Sequence, residues 1–157
     1  MLTIQPFLWF DSQAEEAAKF YTSIFSRSEI KSVTRKPDGV PGPSPVLVVR
    51  FVVEGLEIVA MNGGPGHPPT DAFSLAVEVE TQAELDRVWP KLLEGGGKEI
   101  ACGWLKDRFG VSWQVYPGAL LRFMGDPNPR KAAAVAAAMM KMVKIDLAKI
   151  LQAHDAA

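Results

Sequence analysis

The chain has 157 residues and a net charge of −1 with acids and bases interspersed, so no basic stripe tracks phosphates and nucleic acid is excluded as an expected partner. A single cysteine excludes an internal disulfide and a cysteine-based zinc site, and it fits a reducing compartment. No apolar run is long enough to span a membrane and the first residues lack the basic-then-apolar pattern of an export signal, so the expectation is a cytoplasmic protein able to bury a core unaided.

Leu2 to Phe10 is an aromatic-rich apolar run closed by Asp11-Ser12 and is expected as a strand. Ser12 stands as an N-cap with Glu15 three residues on, which predicts a helix from about Gln13 to Phe25. Its apolar face carries Ala14, Ala17, Ala18, Tyr21 and Phe25. Ser28 to Arg35 reads as a strand, and Lys36 to Pro45, with four prolines and two glycines, reads as a loop. Val46 to Val53 and Leu56 to Met61 form a hairpin about Glu54-Gly55. A Gly/Pro-rich loop over Asn62 to Asp71 then divides the chain.

The same order resumes after it. Phe73 to Val79 alternates as a strand, and Thr81 with Glu84 forms a capping box for a helix from about Gln82 to Leu93. Gly95-Gly96-Gly97 stops that helix, and Lys98 to Cys102, Trp104 to Arg108 and Val111 to Tyr116 supply three short strands. Asp107-Arg108-Phe109-Gly110 is a tight turn between the last two. Pro117 closes the unit, Asn128-Pro129 opens a helix over about Lys131 to Lys144, and Asp146 caps a last helix to about His154. The expectation is an α+β domain over 1–157, built of a βαβββ unit at 1–63, a second at 72–117 and a helical extension at 118–157.

After Gly110, alternation puts Ser112, Gln114 and Tyr116 on one strand face and Val111, Trp113 and Val115 on the other. A polar amide on an otherwise core-like face marks a pocket. Ser74 and Gln114 either anchor a ligand or satisfy each other, the backbone or a water. Glu78 shares the face of Ser74 and Ala76, and is either a general base or a carboxylate at a solvated strand end. Cys102 is either a nucleophile or a small core residue. Trp9 shares the face of Phe7, away from Leu8 and Phe10, while Trp113 belongs under the helices. Trp9, Trp104 and Trp113 are either an aromatic wall for a planar ligand or ordinary packing, and His67 is either solvated or part of a lid.

Several segments together carry a family resemblance: Ile4 to Phe10, Ala14 to Tyr21, Asn62 to Pro65, Phe73 to Leu75, Cys102 to Gln114, and Met142 to Asp146. With the doubled strand–helix–three-strand order, the chain resembles the vicinal oxygen chelate superfamily, which includes glyoxalase I, extradiol dioxygenases and fosfomycin- and bleomycin-resistance proteins. Within it the chain looks like the PhnB-like branch, labelled 3-demethylubiquinone-9 3-methyltransferase. The resemblance implies sheets curled into partial barrels, a ligand site in the concavity, and commonly a homodimer.

In metal-using members of that superfamily, His or Glu side chains on the first and last strands of the two units hold a divalent cation. Carried over position by position, the first-strand ligand falls on Pro6, or on Gln5 in the neighbouring register. The fourth strand supplies Ala60 or Ile58, and the second half supplies Ser74 and, where a Glu usually stands, Gln114. Such groups are poor donors for a divalent cation, and His67 and His154 lie elsewhere, so neither metal nor cofactor is expected. The methyltransferase label finds no Gly-rich turn opening a helix: Gly63-Gly64-Pro65-Gly66 runs into His67-Pro68-Pro69, and the three glycines at 95–97 follow a helix. The expected function is metal-free binding of a small molecule in a concave sheet cleft, with Leu8 and Phe10 as apolar contacts and Ser74 and Gln114 as polar anchors. The alternatives are an enzyme (a lyase, isomerase or transferase using Glu78 or Cys102, or a recruited metal) and a structural dimeric scaffold.

Overall fold

A computed structural model describes residues 1–157. Its elements are β1 (Phe7–Phe10), α1 (Ala14–Ile24), β2 (Ser28–Arg35), β3 (Val46–Val53), β4 (Leu56–Asn62), β5 (Leu75–Val79), α2 (Gln82–Leu93), β6 (Lys98–Glu99), β7 (Trp104–Lys106), β8 (Ser112–Pro117), α3 (Gly118–Met124), α4 (Pro129–Met139) and α5 (Leu147–Asp155). The chain divides into two compact units, Met1–Pro69 and Thr70–Ala157, within the expected Gly/Pro-rich loop. Each holds a four-stranded sheet of the same connectivity: β1-β4-β3-β2 in the first, β5-β8-β7-β6 in the second. This is the α+β architecture of two βαβββ units, and the C-terminal helices belong to the second. No helix is long and apolar enough to cross a membrane.

In the first unit β1 runs parallel to β4, and the rest of the sheet is antiparallel. The pairing aligns Leu8, Ala60 and Val49 across three strands. Two residues along β3 from Val49, Phe51 stacks on Tyr21 of α1, with ring centroids 6.1 Å apart. Strand residues two apart share a face, so Leu8, Phe10, Val49, Phe51, Ile58 and Ala60 all lie beneath α1, and all are buried. The expected first strand is cut to four residues, because Pro6 has no N–H to extend the ladder and only accepts, at 3.0 Å, from the amide of Val59.

Ser12 does not cap α1. The residue at the cap position is Gln13, with no capping bond from its own side chain. The buried Asn62, at the end of β4, takes that role from 48 positions away: its Oδ1 accepts from the Ala14 amide at 2.8 Å. Its Nδ2 donates to the Val46 carbonyl at 3.0 Å. One side chain thus satisfies an orphan donor of a helix and a carbonyl at the start of β3.

In the second unit the expected capping box of Thr81 and Glu84 forms, and α2 spans Gln82–Leu93. Its buried Leu85, Val88, Trp89 and Leu92 pack on the sheet face that carries Leu75, Leu105, Trp113 and Val115. The Asp107–Gly110 turn closes with a 3.0 Å bond from the Gly110 amide to the Asp107 carbonyl. The buried Asp107 carboxylate also accepts from the amides of Phe109 and Val111 and from the Trp113 indole at 2.8 Å, so turn and core are one construction. The expected Lys98 to Cys102 strand is reduced to Lys98–Glu99 because Cys102 and Gly103 turn away with φ of 55° and 83°.

Past Met139 the chain leaves its helix sooner than expected to dock on that turn. The amides of Cys102 and Gly103 donate to the carbonyls of Met142 and Val143, each at 2.8 Å. Ile145 is fully buried, and the Gln82 amide brackets it, donating to the Ile145 carbonyl and accepting from the Leu147 amide. Asp146 caps α5 as expected. Helix α3 was not expected; it follows Pro117 with no capping side chain and so leaves no signal. Near the end of α5, the His154 ring nitrogens contact Asp126 at 2.9 Å and Asp155 at 3.0 Å, and its ring lies 4.5 Å from that of Phe123.

Two outcomes follow. Replacing Asn62 with Ala removes a cap and strands a buried carbonyl, so urea unfolding should show a loss of about 2 kcal/mol, against under about 0.5 kcal/mol for Ser12→Ala. Asp126 and then Asp155 raise the His154 pKa above its ordinary value, with partial desolvation and then Lys131 opposing them. This contribution to stability is complete below the unfolded value of about 6.5 and is lost as pH rises through the folded one. Hydrogen exchange in α5, corrected for its intrinsic pH dependence, should therefore accelerate across that window, and His154→Gln should flatten the response.

Candidate functional site

The face of the first sheet away from α1 is covered by no helix of its unit. The strand register lays it out in rows. Phe7, Val59, Arg50 and Ser32 form one row, and Trp9, Met61, Val48 and Thr34 the next. Phe7 is 57% exposed, Arg50 is exposed, and Trp9, Val48, Val59 and Met61 are half-buried. At one end Gln5 donates to the Glu57 carboxylate, and the Arg50 guanidinium lies 3.7 Å from it. Gln5, Lys31, Ser32, Arg50 and Glu57 line a hollow of about 240 Å³ there.

At the other end the loop after β4 folds onto Trp9. The indole donates to the Gly64 carbonyl at 2.8 Å, and the exposed His67 ring meets it edge-on at 4.5 Å. Gly63 lies so close under the indole that a Cβ there would stand 2.0 Å from a ring carbon. The glycine is required by this approach and not by its backbone angles, which are not in the left-handed region.

The expected apolar contacts at this site, Leu8 and Phe10, are corrected: both lie on the opposite, α1-covered face, and Phe7 and Trp9 occupy the open one. The same parity removes Ala60 and Ile58, which are buried under α1, and puts Val59 and Met61 in their place. Of the two first-strand registers, Gln5 lies with the open-face residues.

The second sheet's open face carries Ala76, Gln114 and Trp104 in one row, with Glu78 beside Tyr116. Of the alternatives for Ser74 and Gln114, the structure shows mutual satisfaction: the Gln114 amide donates to the Ser74 hydroxyl at 2.9 Å. Asp71 accepts from Lys106 at 2.8 Å and from Ser112 at 3.0 Å, and the Lys106 ammonium beside it lowers its pKa from the ordinary value. Glu78 is exposed at the strand end, its carboxylate lying over the space a side chain at Gly118 would fill. Cys102 is half-buried in the turn, where its backbone serves the docked tail.

No group of three His, Cys, Asp or Glu side chains comes together to hold a metal ion. The open-face positions of β1, β4, β5 and β8 carry one carboxylate in each sheet, Glu57 and Glu78, among otherwise weak or non-donor groups, so neither face gathers the several His or carboxylate donors that a divalent cation needs. Sequence reasoning missed Arg50, Lys31 and Ser32. The available signal was Arg50 itself, the one charged residue in an otherwise apolar strand, Val46–Val53.

Gly63→Ala should drive the Trp9 indole off its seat. The expected outcome is a destabilised protein with a red-shifted emission and faster quenching by iodide, checked with Trp9→Phe as the reference that removes the signal.

Residues 2–116 match the family described as 3-demethylubiquinone-9 3-methyltransferase. Among solved structures, a putative 3-demethylubiquinone-9 3-methyltransferase, PhnB protein, from Bacillus cereus is 36% identical. The match covers 74% of this chain and 100% of that one, with a TM-score of 0.68. Protein PA1353 from Pseudomonas aeruginosa is 23% identical over 74% of this chain and 98% of its own, with a TM-score of 0.63. The fosfomycin resistance protein FosX from Mesorhizobium loti shares the fold at 11% identity, over 80% and 100% of the two chains, with a TM-score of 0.58. No curated protein matches. With its doubled βαβββ plan and a family match over most of its length, the chain belongs to the PhnB-like family described as 3-demethylubiquinone-9 3-methyltransferase.

Proposed function

We propose that the protein binds a small organic molecule on the open face of its first sheet, without a divalent cation. The observation that carries this is Phe7, 57% exposed at the start of edge strand β1, on a sheet face whose Trp9, Val48, Val59 and Met61 are half-buried. Large apolar side chains gathered on an uncovered face mark a binding surface. Covering the exposed half of a phenyl ring removes about 100 Å² from water and contributes about 2.5 kcal/mol. Micromolar binding needs about 8 kcal/mol, so the aromatic floor must work with other groups.

The donor set argues against metal-assisted polarisation of a substrate oxygen, since Glu57 is the one carboxylate in the hollow and no His, Cys, Asp or Glu pair joins it to complete a site for the ion. Methyl transfer in the manner of the family's description lacks a visible cofactor seat. Each sheet is mostly antiparallel, and neither Gly-rich segment opens a helix at a strand end.

A thermal-shift screen of small aromatic and aliphatic compounds in the presence of EDTA tests the proposal. A compound at a hundred times its dissociation constant should stabilise by about 2.7 kcal/mol, roughly 5–10 °C for a chain of this size, and Phe7→Ala should weaken it. Stoichiometric zinc, manganese, iron or nickel in the purified protein, or hits indifferent to Phe7→Ala, would overturn it.

A further inference from the structure

The polar end of the same face shows a construction that apolar binding alone does not explain. In β2 the register against β3 advances from Ile30 opposite Phe51 to Ser32 opposite Arg50, so Lys31 is the extra residue of a β-bulge. A bulge sets two residues against one and re-aims their side chains. Here Lys31 and Ser32 are both exposed, both line the hollow, and both flank Arg50. A regular strand would have sent one of them toward α1. The result is a guanidinium, an ammonium and a hydroxyl around one small hollow.

The hollow already holds a carboxylate. Glu57 approaches the Arg50 guanidinium at 3.7 Å, a distance beyond hydrogen bonding, while its firmer partner is the Gln5 amide. Lys31 is paired to Glu29, which lies in the row of Val52 and Glu57. The planar fork of Arg50 is therefore loosely engaged by an internal carboxylate, in a geometry that an incoming one would improve to a bidentate pair. Phe7 shares the row of Arg50 with Val59 between them. Two strand spacings of about 4.8 Å separate the two, a span of about 10 Å across the face.

Resting on the small-molecule binding proposed above, we infer that the ligand is an amphipathic carboxylate. Its acid group sits on Arg50 with Ser32 and Lys31 beside it, and its apolar or aromatic body lies across Val59 onto Phe7. Glu57 is the placeholder that the ligand displaces from the guanidinium.

Isothermal titration with 3-phenylpropionate and its neutral amide, 3-phenylpropanamide, provides the test, since the two have the same body and differ in charge. The acid should bind at least tenfold more tightly than the amide. Arg50→Gln should abolish that preference while leaving amide binding in place, and Glu57→Gln should tighten the acid several-fold by removing the competing carboxylate. Equal affinity for acid and amide, or a preference that survives Arg50→Gln, overturns the inference and leaves the binding proposal standing. Binding of neither probe, with hits from the EDTA screen still weakened by Phe7→Ala, also overturns it alone. Binding of neither probe with no Phe7-dependent hit removes the binding proposal and the inference with it.

Discussion

The parallel pairing of β1 on β4 is the constraint on which the first unit rests. It sets Leu8 opposite Ala60 and Phe10 opposite Asn62, and through β3 it decides which side chains α1 covers. A slip of one residue would turn Leu8 and Phe10 to the open face and drive Phe7 and Trp9 under the helix. Two contacts hold the register. The Pro6 carbonyl takes the Val59 amide at the strand's start, and Asn62, just past the last apolar position of β4, reaches the first turn of α1. Pairing, capping and the character of the exposed face are consequences of a single alignment.

The two sheets share one topology and use their open faces differently. In the second, Ser74 with Gln114 and Asp71 with Ser112 and Lys106 spend their polar groups on one another. In the first, large apolar groups stand half-covered beside an arginine whose nearest carboxylate is too far for a hydrogen bond. Donors already satisfied inside the protein gain little from a ligand, whereas an exposed ring and a loosely held guanidinium both gain by being covered. That difference puts the proposed binding surface on the first sheet, even though the most distinctive stretch of sequence, Cys102 to Gln114, lies in the second.

That stretch is explained by structure. Asp107 organises its own turn and holds the Trp113 indole in the core. Cys102 and Gly103 present two backbone donors to the carbonyls of Met142 and Val143. The residue at Gly103 is confined by the Val115 carbonyl and by Ile145, so a side chain there would collide with the docked tail. Tryptophan, glycine and aspartate at these positions describe how the C-terminal segment is fastened to the second unit.

Local signals in the chain were enough to determine the order and type of the strands and of every helix but α3, which leaves no such signal. The Thr81–Glu84 capping box, the Asp107–Gly110 turn, the Asp146 cap and the alternation that sorts Trp9 from Leu8 all act between near neighbours, and a linear reading recovers them. Tertiary structure alone decided which strand face the helix covers, because alternation separates two faces without saying which is inside. It also decided that a remote asparagine caps α1 instead of Ser12, that the tail leaves α4 early to meet Cys102, and that a bulge turns Lys31 and Ser32 toward Arg50. Each of these is a bond or register between residues far apart in the chain, formed only when the fold brings its partners together.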